Sequence, residues 1–121
     1  MYRFAQRHPE KTALLLGIFP VWDVEKMTLP SLQRAWGLEG ETLRRALEER
    51  NPARYPMPNI PIVICHGLND TCVPIAQHTL KLAETVPMTL HTTQDTHSTQ
   101  AFGLYDTPIL AAALEKYASA T

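Results

Sequence analysis

Three short apolar runs constrain the fold of this chain more than any other feature. They span residues 12–19, 60–67 and 86–93, and each is followed by loop residues and then by a helical pattern. Near-continuous apolar runs of this length are typical of parallel strands covered on both faces, whereas a half-exposed strand alternates apolar and polar residues. The sequence therefore predicts an α/β fold with about three parallel strands and flanking helices, connected by right-handed crossovers.

The segments between and after these runs have the periodicity of helices. We predict helices over residues 31–36, 41–50, 74–84 and 107–118. Pro74 would open the third of them, since proline is favoured at the first position of a helix. The proline-rich residues 51–61 end the second helix and lead into the second strand.

Composition narrows the class of protein. With 121 residues, the chain is the size of one domain and can bury a core without disulfides, so Cys65 and Cys72 fit a reducing compartment. An apolar fraction of 45% excludes a disordered chain, and a net charge of −1 gives no footprint for nucleic acid or an anionic membrane. Residues 1–11 have no apolar core of a signal peptide, so we expect a cytoplasmic protein unless a preceding segment carries a signal.

Two polar residues, Asp70 and His97, follow the second and third runs. In parallel sheets the reactive groups collect beyond the carboxyl ends of the strands, so these two side chains are expected to meet. A carboxylate bound to one imidazole nitrogen leaves the other nitrogen to act as a general base. Alternatively, Asp70 caps the following helix or closes a local turn, and His97 is an ordinary loop histidine.

Three stretches resemble the α/β-hydrolase superfamily of serine hydrolases, which includes esterases, lipases and prolyl-oligopeptidase-like enzymes. Residues 60–74, IPIVICHGLNDTCVP, resemble its late strand and acid turn, commonly an apolar run followed by H-G-x-x-D-x-x-V-P. Residues 90–98, LHTTQDTHS, are similar to the last strand and histidine loop. Residues 2–23 resemble the helix end and the strand that follow the nucleophile elbow.

The resemblance implies a partial α/β-hydrolase domain over residues 1–121, with a helical cap-like insert at about residues 25–58. Asp70 would be the triad acid and His97 the triad base, and Trp22 and Asp23 would line the substrate pocket. The implied substrate is a small molecule with an ester or peptide-like acyl bond. No cofactor and no metal are implied.

One departure from the superfamily concerns the nucleophile. The superfamily has a G-x-S-x-G motif before the position of residues 8–11, and Ser31, Ser98 and Ser119 lie in no such motif. The N-terminal strands and the nucleophile elbow are thus expected to be absent, and the isolated chain to be inactive. The first run would then be an exposed edge strand that self-associates or pairs with a complementary N-terminal chain.

Other interpretations of the chain remain open. The chain could be a catalytically inactive binding module derived from this superfamily, or the product of a decayed gene. A zinc site at His66, Asp70, His78 and His97 lacks a recognised ligand spacing. Cys72 is a weak candidate nucleophile. We expect His66 to belong to the strand-to-turn transition, and His78 and His91 to be exposed.

Overall fold

The computed structural model describes residues 1–94, 96–97 and 108–118 and contains a three-stranded parallel sheet. The strands are β1 (Leu15–Ile18), β2 (Ile62–Gly67) and β3 (Thr89–Thr93), in the order β1-β2-β3. Leu15 lies opposite Ile62, and Val63 lies opposite Thr89. The predicted α/β class and its parallel sheet are confirmed, although each strand is shorter than the apolar run that predicted it.

Burial differs between the strands because of their positions in the sheet. Every residue of the central strand β2 is buried, as expected for a strand with a neighbour on each edge and cover on both faces. β3 has no buried residue, in agreement with its sequence of three threonines, one histidine and Leu90. β2 is therefore the rigid element from which the loop carrying Asp70 emerges.

The described residues also include five α-helices. They are α1 (Tyr2–Arg7), α2 (Leu29–Trp36), α3 (Gly40–Arg50), α4 (Thr79–Ala83) and α5 (Pro108–Ala118). α2 and α3 lie within residues 25–58, and the idea that this segment is a cap stays a prediction. Among the described helices, none has the length and apolarity needed to cross a membrane.

The predicted helix over residues 74–84 is wrong in its first half. Residues 75–78 form turns, and the helix covers only Thr79–Ala83. His78, at the N-cap of α4, has φ −122° and ψ −86°, which no helix allows, and its ring is fully buried rather than exposed as expected. Nδ1 of this ring accepts hydrogen bonds from the backbone N–H groups of Trp22 and Asp23, both at 3.2 Å. Burying the ring against this distant loop replaces the first turn of the predicted helix.

The core is divided between the two faces of the sheet. One cluster contains the alternating residues Ile62 and Ile64 of β2 together with Leu15 and Trp22. Cys65, which points to the other face, packs with Phe19. Trp22 and Phe19, which both follow β1, belong one to each cluster, so this loop is anchored on both faces of the sheet.

Candidate active site

The loops that follow β2 and β3 are tied to each other beyond the ends of the strands. The backbone N–H of Leu68 donates to the carbonyl of Thr93 at 2.8 Å, and the side-chain amide of Asn69 donates to the carbonyl of Gln94. These contacts extend the parallel pairing past Gly67. Side chains from the two loops can therefore meet in a fixed geometry.

Asp70 lies in the loop after β2 and is 4% exposed. Its Oδ1 accepts hydrogen bonds from the backbone N–H groups of Cys72, at 2.9 Å, and Val73, at 2.8 Å. These contacts form the local turn that the sequence left as an alternative role for this residue. Because both bonds use Oδ1, the other carboxylate oxygen is left for a second partner.

That second partner is His97, whose Nδ1 lies 2.7 Å from Oδ2 of Asp70. An ionised carboxylate only accepts hydrogen bonds, so Nδ1 carries the proton and donates it. The neutral ring then has its lone pair on Nε2, which is the nitrogen a general base uses. The His97 side chain is 40% exposed while that of Asp70 is fully buried, so the imidazole is open to a reactant and the carboxylate is not.

The two buried ionisable groups of this site have shifted pKa values. Burial on its own would raise the pKa of Asp70, but hydrogen bonds from the Val73 N–H, His97 and the Cys72 N–H outweigh it and hold this pKa below its usual value. Burial lowers the pKa of His66, more than the Val73 carbonyl and the Asp70 carboxylate raise it. At neutral pH, Asp70 is therefore ionised and His66 is neutral.

Two side chains that were not predicted from the sequence contact this pair. The ring of Phe19 lies 4.8 Å from that of His97 and 6.1 Å from that of His66, measured between centroids. Phe19 has φ +50°, an unusual left-handed conformation for a bulky residue, at the point where β1 ends. Nothing in the local sequence predicts this conformation, since phenylalanine elsewhere continues a strand readily.

His66 is the second side chain that was missed. It is fully buried at the end of β2, and its Nε2 lies 3.5 Å from Oδ2 of Asp70. Its position four residues before Asp70 in the H-G-x-x-D pattern was the available signal. From the sequence we expected His66 to belong to the strand-to-turn transition, with a zinc site as the alternative.

The structure does not bring Trp22 or Asp23 to the acid–histidine pair. Trp22 is 7% exposed and packs edge-on against Tyr2, with ring centroids 5.3 Å apart. Asp23 Oδ1 accepts from the Glu25 N–H at 3.1 Å and from the Asn51 side-chain amide at 2.9 Å. Both side chains thus stabilise the loop after β1, and their role in a substrate pocket stays a prediction.

The cysteines and histidines form no further cluster in the part of the chain that the structure describes. Cys65 is buried, Cys72 is exposed, and both are free thiols. Among the described residues, no three His, Cys, Asp or Glu side chains are grouped so that they could hold a metal ion. Both ring nitrogens of His66 already have hydrogen-bonding partners within the chain.

Comparisons with known proteins identify the fold. No protein-family model matches the sequence, and no curated protein matches it. A dipeptidyl aminopeptidase IV-like protein from Bacteroides ovatus has a similar structure, with a TM-score of 0.74 and 20% identity over 96% of this chain and 17% of that chain. Mouse alpha/beta hydrolase domain-containing protein 10 is similar over 93% of this chain and 55% of that chain, with a TM-score of 0.60 and 23% identity.

These similarities show that the chain has an α/β-hydrolase-type fold, and its three parallel strands form part of such a sheet. The chain spans 17% and 55% of the lengths of the two similar structures. The resemblance stated from residues 2–23, 60–74 and 90–98 is therefore confirmed at the level of fold.

Proposed function

We propose that this chain supplies the acid and the base of a serine hydrolase that cleaves an ester or peptide-like acyl bond. The observation that carries the proposal is the 2.7 Å contact between Nδ1 of His97 and Oδ2 of Asp70, at the carboxyl ends of two parallel strands. The fold is one in which acid and histidine follow late strands in this order. Asp70 is held by two backbone N–H groups, so its orientation does not depend on His97 alone.

In this mechanism each group has a defined task. Nε2 of His97 takes the proton of a serine hydroxyl as that oxygen attacks the acyl carbon, and later returns the proton to the leaving group. The buried carboxylate of Asp70 keeps the proton of the neutral ring on Nδ1 and stabilises the imidazolium. Water then attacks the acyl-enzyme in a second round of the same proton transfers, which releases the acid.

We propose that residues outside this sequence supply the serine and the oxyanion-binding N–H groups, on a longer polypeptide or on a second one. β1 lies at an edge of the sheet, since among the described strands it pairs only with β2. Backbone groups alternate in direction along a strand, and Leu15 and Phe19 donate toward β2, so Leu16 and Ile18 direct theirs to the free edge. A cavity of about 630 Å³ and one of about 500 Å³ lie along this edge, and both are lined by Leu16.

The occupant that we propose for this edge is a strand of the segment that carries the nucleophile. Exposed Met1 and Phe4 add apolar surface beside it, and such an edge is a template for strand pairing. A second copy of the chain is the other candidate occupant. The two are distinguished by whether the purified chain forms dimers when it is alone.

The first experiment labels an extract of the source cells with a fluorophosphonate probe, which reacts with activated serines. Labelled proteins are then searched by peptide mass for this sequence. Label on a larger protein that contains these peptides, or on a partner that copurifies with the 13.6 kDa chain, supports the proposal. A matched His97→Gln strain should lose the label, because the serine would no longer have its base.

The labelling experiment can also refute the proposal. The chain recovered at 13.6 kDa with no labelled partner would refute the hydrolase proposal. In that case the alternative, an inactive binding module derived from this fold or the product of a decayed gene, would account for the chain.

A further inference from the structure

We infer that His66 is a positioning residue for the acid–histidine pair, and that the carbonyl of Val73 sets its tautomer. The inference deepens the proposed function and relies on it only for the catalytic meaning of the pair. His66 holds the loop of residues 70–73 so that Oδ2 of Asp70 faces His97.

The hydrogen bonds of His66 define its protonation state. Its ring is fully buried, and Nε2 lies 2.7 Å from the carbonyl oxygen of Val73. A carbonyl only accepts, so Nε2 carries the proton and donates it. Nδ1 of the neutral ring is then the acceptor, and the hydroxyl of Thr79 donates a hydrogen bond to it at 2.8 Å. The ring is thus a neutral Nε2–H tautomer that joins β2 to the loop on one side and to α4 on the other.

Val73 connects this histidine to the acid. Its carbonyl accepts from His66, while its N–H donates to Oδ1 of Asp70 at 2.8 Å. Both polar groups of this buried backbone are therefore committed, one to the histidine and one to the carboxylate. A displacement of Val73 would rotate or shift the carboxylate, since one of the two N–H groups that orient it would move.

A second contact of His66 also holds Oδ2 of Asp70 toward His97. Nε2 of His66 lies 3.5 Å from Oδ2 of Asp70, which is the oxygen that His97 contacts. The N–H at Nε2 is mainly engaged with Val73, so this approach is a weaker electrostatic interaction rather than a full hydrogen bond. It nevertheless places a positive N–H edge beside Oδ2 and opposes its rotation away from His97.

If His66 only filled space in the core, a different result would be expected. Replacing it would lower the free energy of unfolding and leave the ring of His97 as it was. A positioning role predicts that the tautomer of His97 changes in a protein that is still folded, because that tautomer is set by the hydrogen bond to Asp70.

The experiment measures the ring ¹⁵N shifts of His97 by NMR in the full 121-residue chain. The matched variants are His66→Gln, whose amide lies near the Nε2 position and can still donate to Val73, and His66→Asn, which can accept from Thr79 but is too short to reach Val73. We expect wild type and His66→Gln to hold the proton on Nδ1 of His97. In His66→Asn the ratio of this tautomer to the other should fall about fivefold, as the loss of one ordinary hydrogen bond implies.

Two results would overturn the inference: a folded His66→Asn protein with an unchanged His97 ring, or equal losses in both variants. If His66→Asn does not fold, as judged by near-ultraviolet circular dichroism, the ring ¹⁵N shifts of His66 in the wild-type chain decide. They should place the proton on Nε2, and a proton on Nδ1 would refute the inference, because Nε2 could then not donate to the carbonyl of Val73.

The NMR measurement does not depend on hydrolysis, so it separates the two proposals. A His97 ring that responds as expected, in a chain with no labelled serine partner, would support the positioning role and refute the hydrolase. A labelled partner together with an unchanged His97 ring would support the hydrolase and refute the positioning role.

Discussion

Replacing Asp70 tests how the loop after β2 is held. In Asp70→Ala, the buried N–H of Val73 loses its acceptor, which costs about 1–3 kcal/mol. The N–H of Cys72 is only partly buried and can turn to water, so its loss adds about 0.5–1.5 kcal/mol. We therefore expect Asp70→Ala to lower the free energy of unfolding by about 2–4 kcal/mol.

Asp70→Asn separates the local turn from the contact with His97. The asparagine oxygen can still accept both backbone N–H groups, but its amide nitrogen replaces the oxygen that accepts from His97, so we expect a decrease of about 1–2 kcal/mol. Urea unfolding at pH 7 measures both variants against the wild type. Equal destabilisation of the two variants would contradict the idea that the backbone acceptors carry most of the effect, and a change below about 0.5 kcal/mol in Asp70→Ala would refute the reasoning altogether.

The pH dependence gives an independent measure of the same contact. The pKa of Asp70 in the folded chain lies below its ordinary value of 3.8, so the carboxylate stabilises the fold at every pH above that value. This contribution is lost as the pH falls from about 3.8 through the lower, folded pKa. Asp70→Asn should lack this part of the acid sensitivity, whereas a wild-type acid transition that is unchanged in the variant would contradict the assignment.

Three further predictions concern other parts of the structure. Burial lowers the pKa of His78 below 6.5, so protonation of the unfolded chain should reduce the free energy of unfolding as the pH falls below that value. In His78→Asn the amide oxygen can replace Nδ1 as acceptor, so the free energy of unfolding, measured with urea, should fall less between pH 7 and 5. Asn51→Ala removes the acceptor of the Val24 N–H, at 2.9 Å, and two further hydrogen bonds, and should lower the free energy of unfolding by about 2–4 kcal/mol. The exposed control Asn59→Ala should change it by no more than about 0.5 kcal/mol. If the edge of β1 pairs with a second copy, Leu16→Lys should shift the mass in analytical ultracentrifugation toward 13.6 kDa; a wild-type chain that is monomeric at all concentrations would exclude self-association.

The fold was predictable because its signals are local. Each strand is predicted by its own apolar run. Continuous apolar runs separated by helical patterns favour a parallel sheet. The meeting of Asp70 and His97 follows from topology, since loops after neighbouring parallel strands emerge at the same edge. Neither inference required knowledge of a specific side-chain contact.

Side-chain placements were not predictable where a residue contacts a partner that is distant in the sequence. The pattern of residues 74–84 is helical, but His78 is recruited by backbone N–H groups that are 55 and 56 positions away, and the helix begins after it. The packing of Trp22 against Tyr2 in the core was also not predicted, while its role in a substrate pocket stays a prediction. Propensity could not anticipate either placement, because tertiary contacts override it.

The sequence by itself determined the α/β class, the parallel sheet and the two loops that carry the acid and the histidine, because apolar periodicity and strand order are properties of the chain. Only the tertiary structure decided which oxygen of Asp70 meets His97, and it also buried His66 and turned Phe19 into the left-handed region. The physical reason is that hydrogen-bond direction and burial depend on atoms brought together from separate strands. A buried polar group must find its partner wherever the fold provides one.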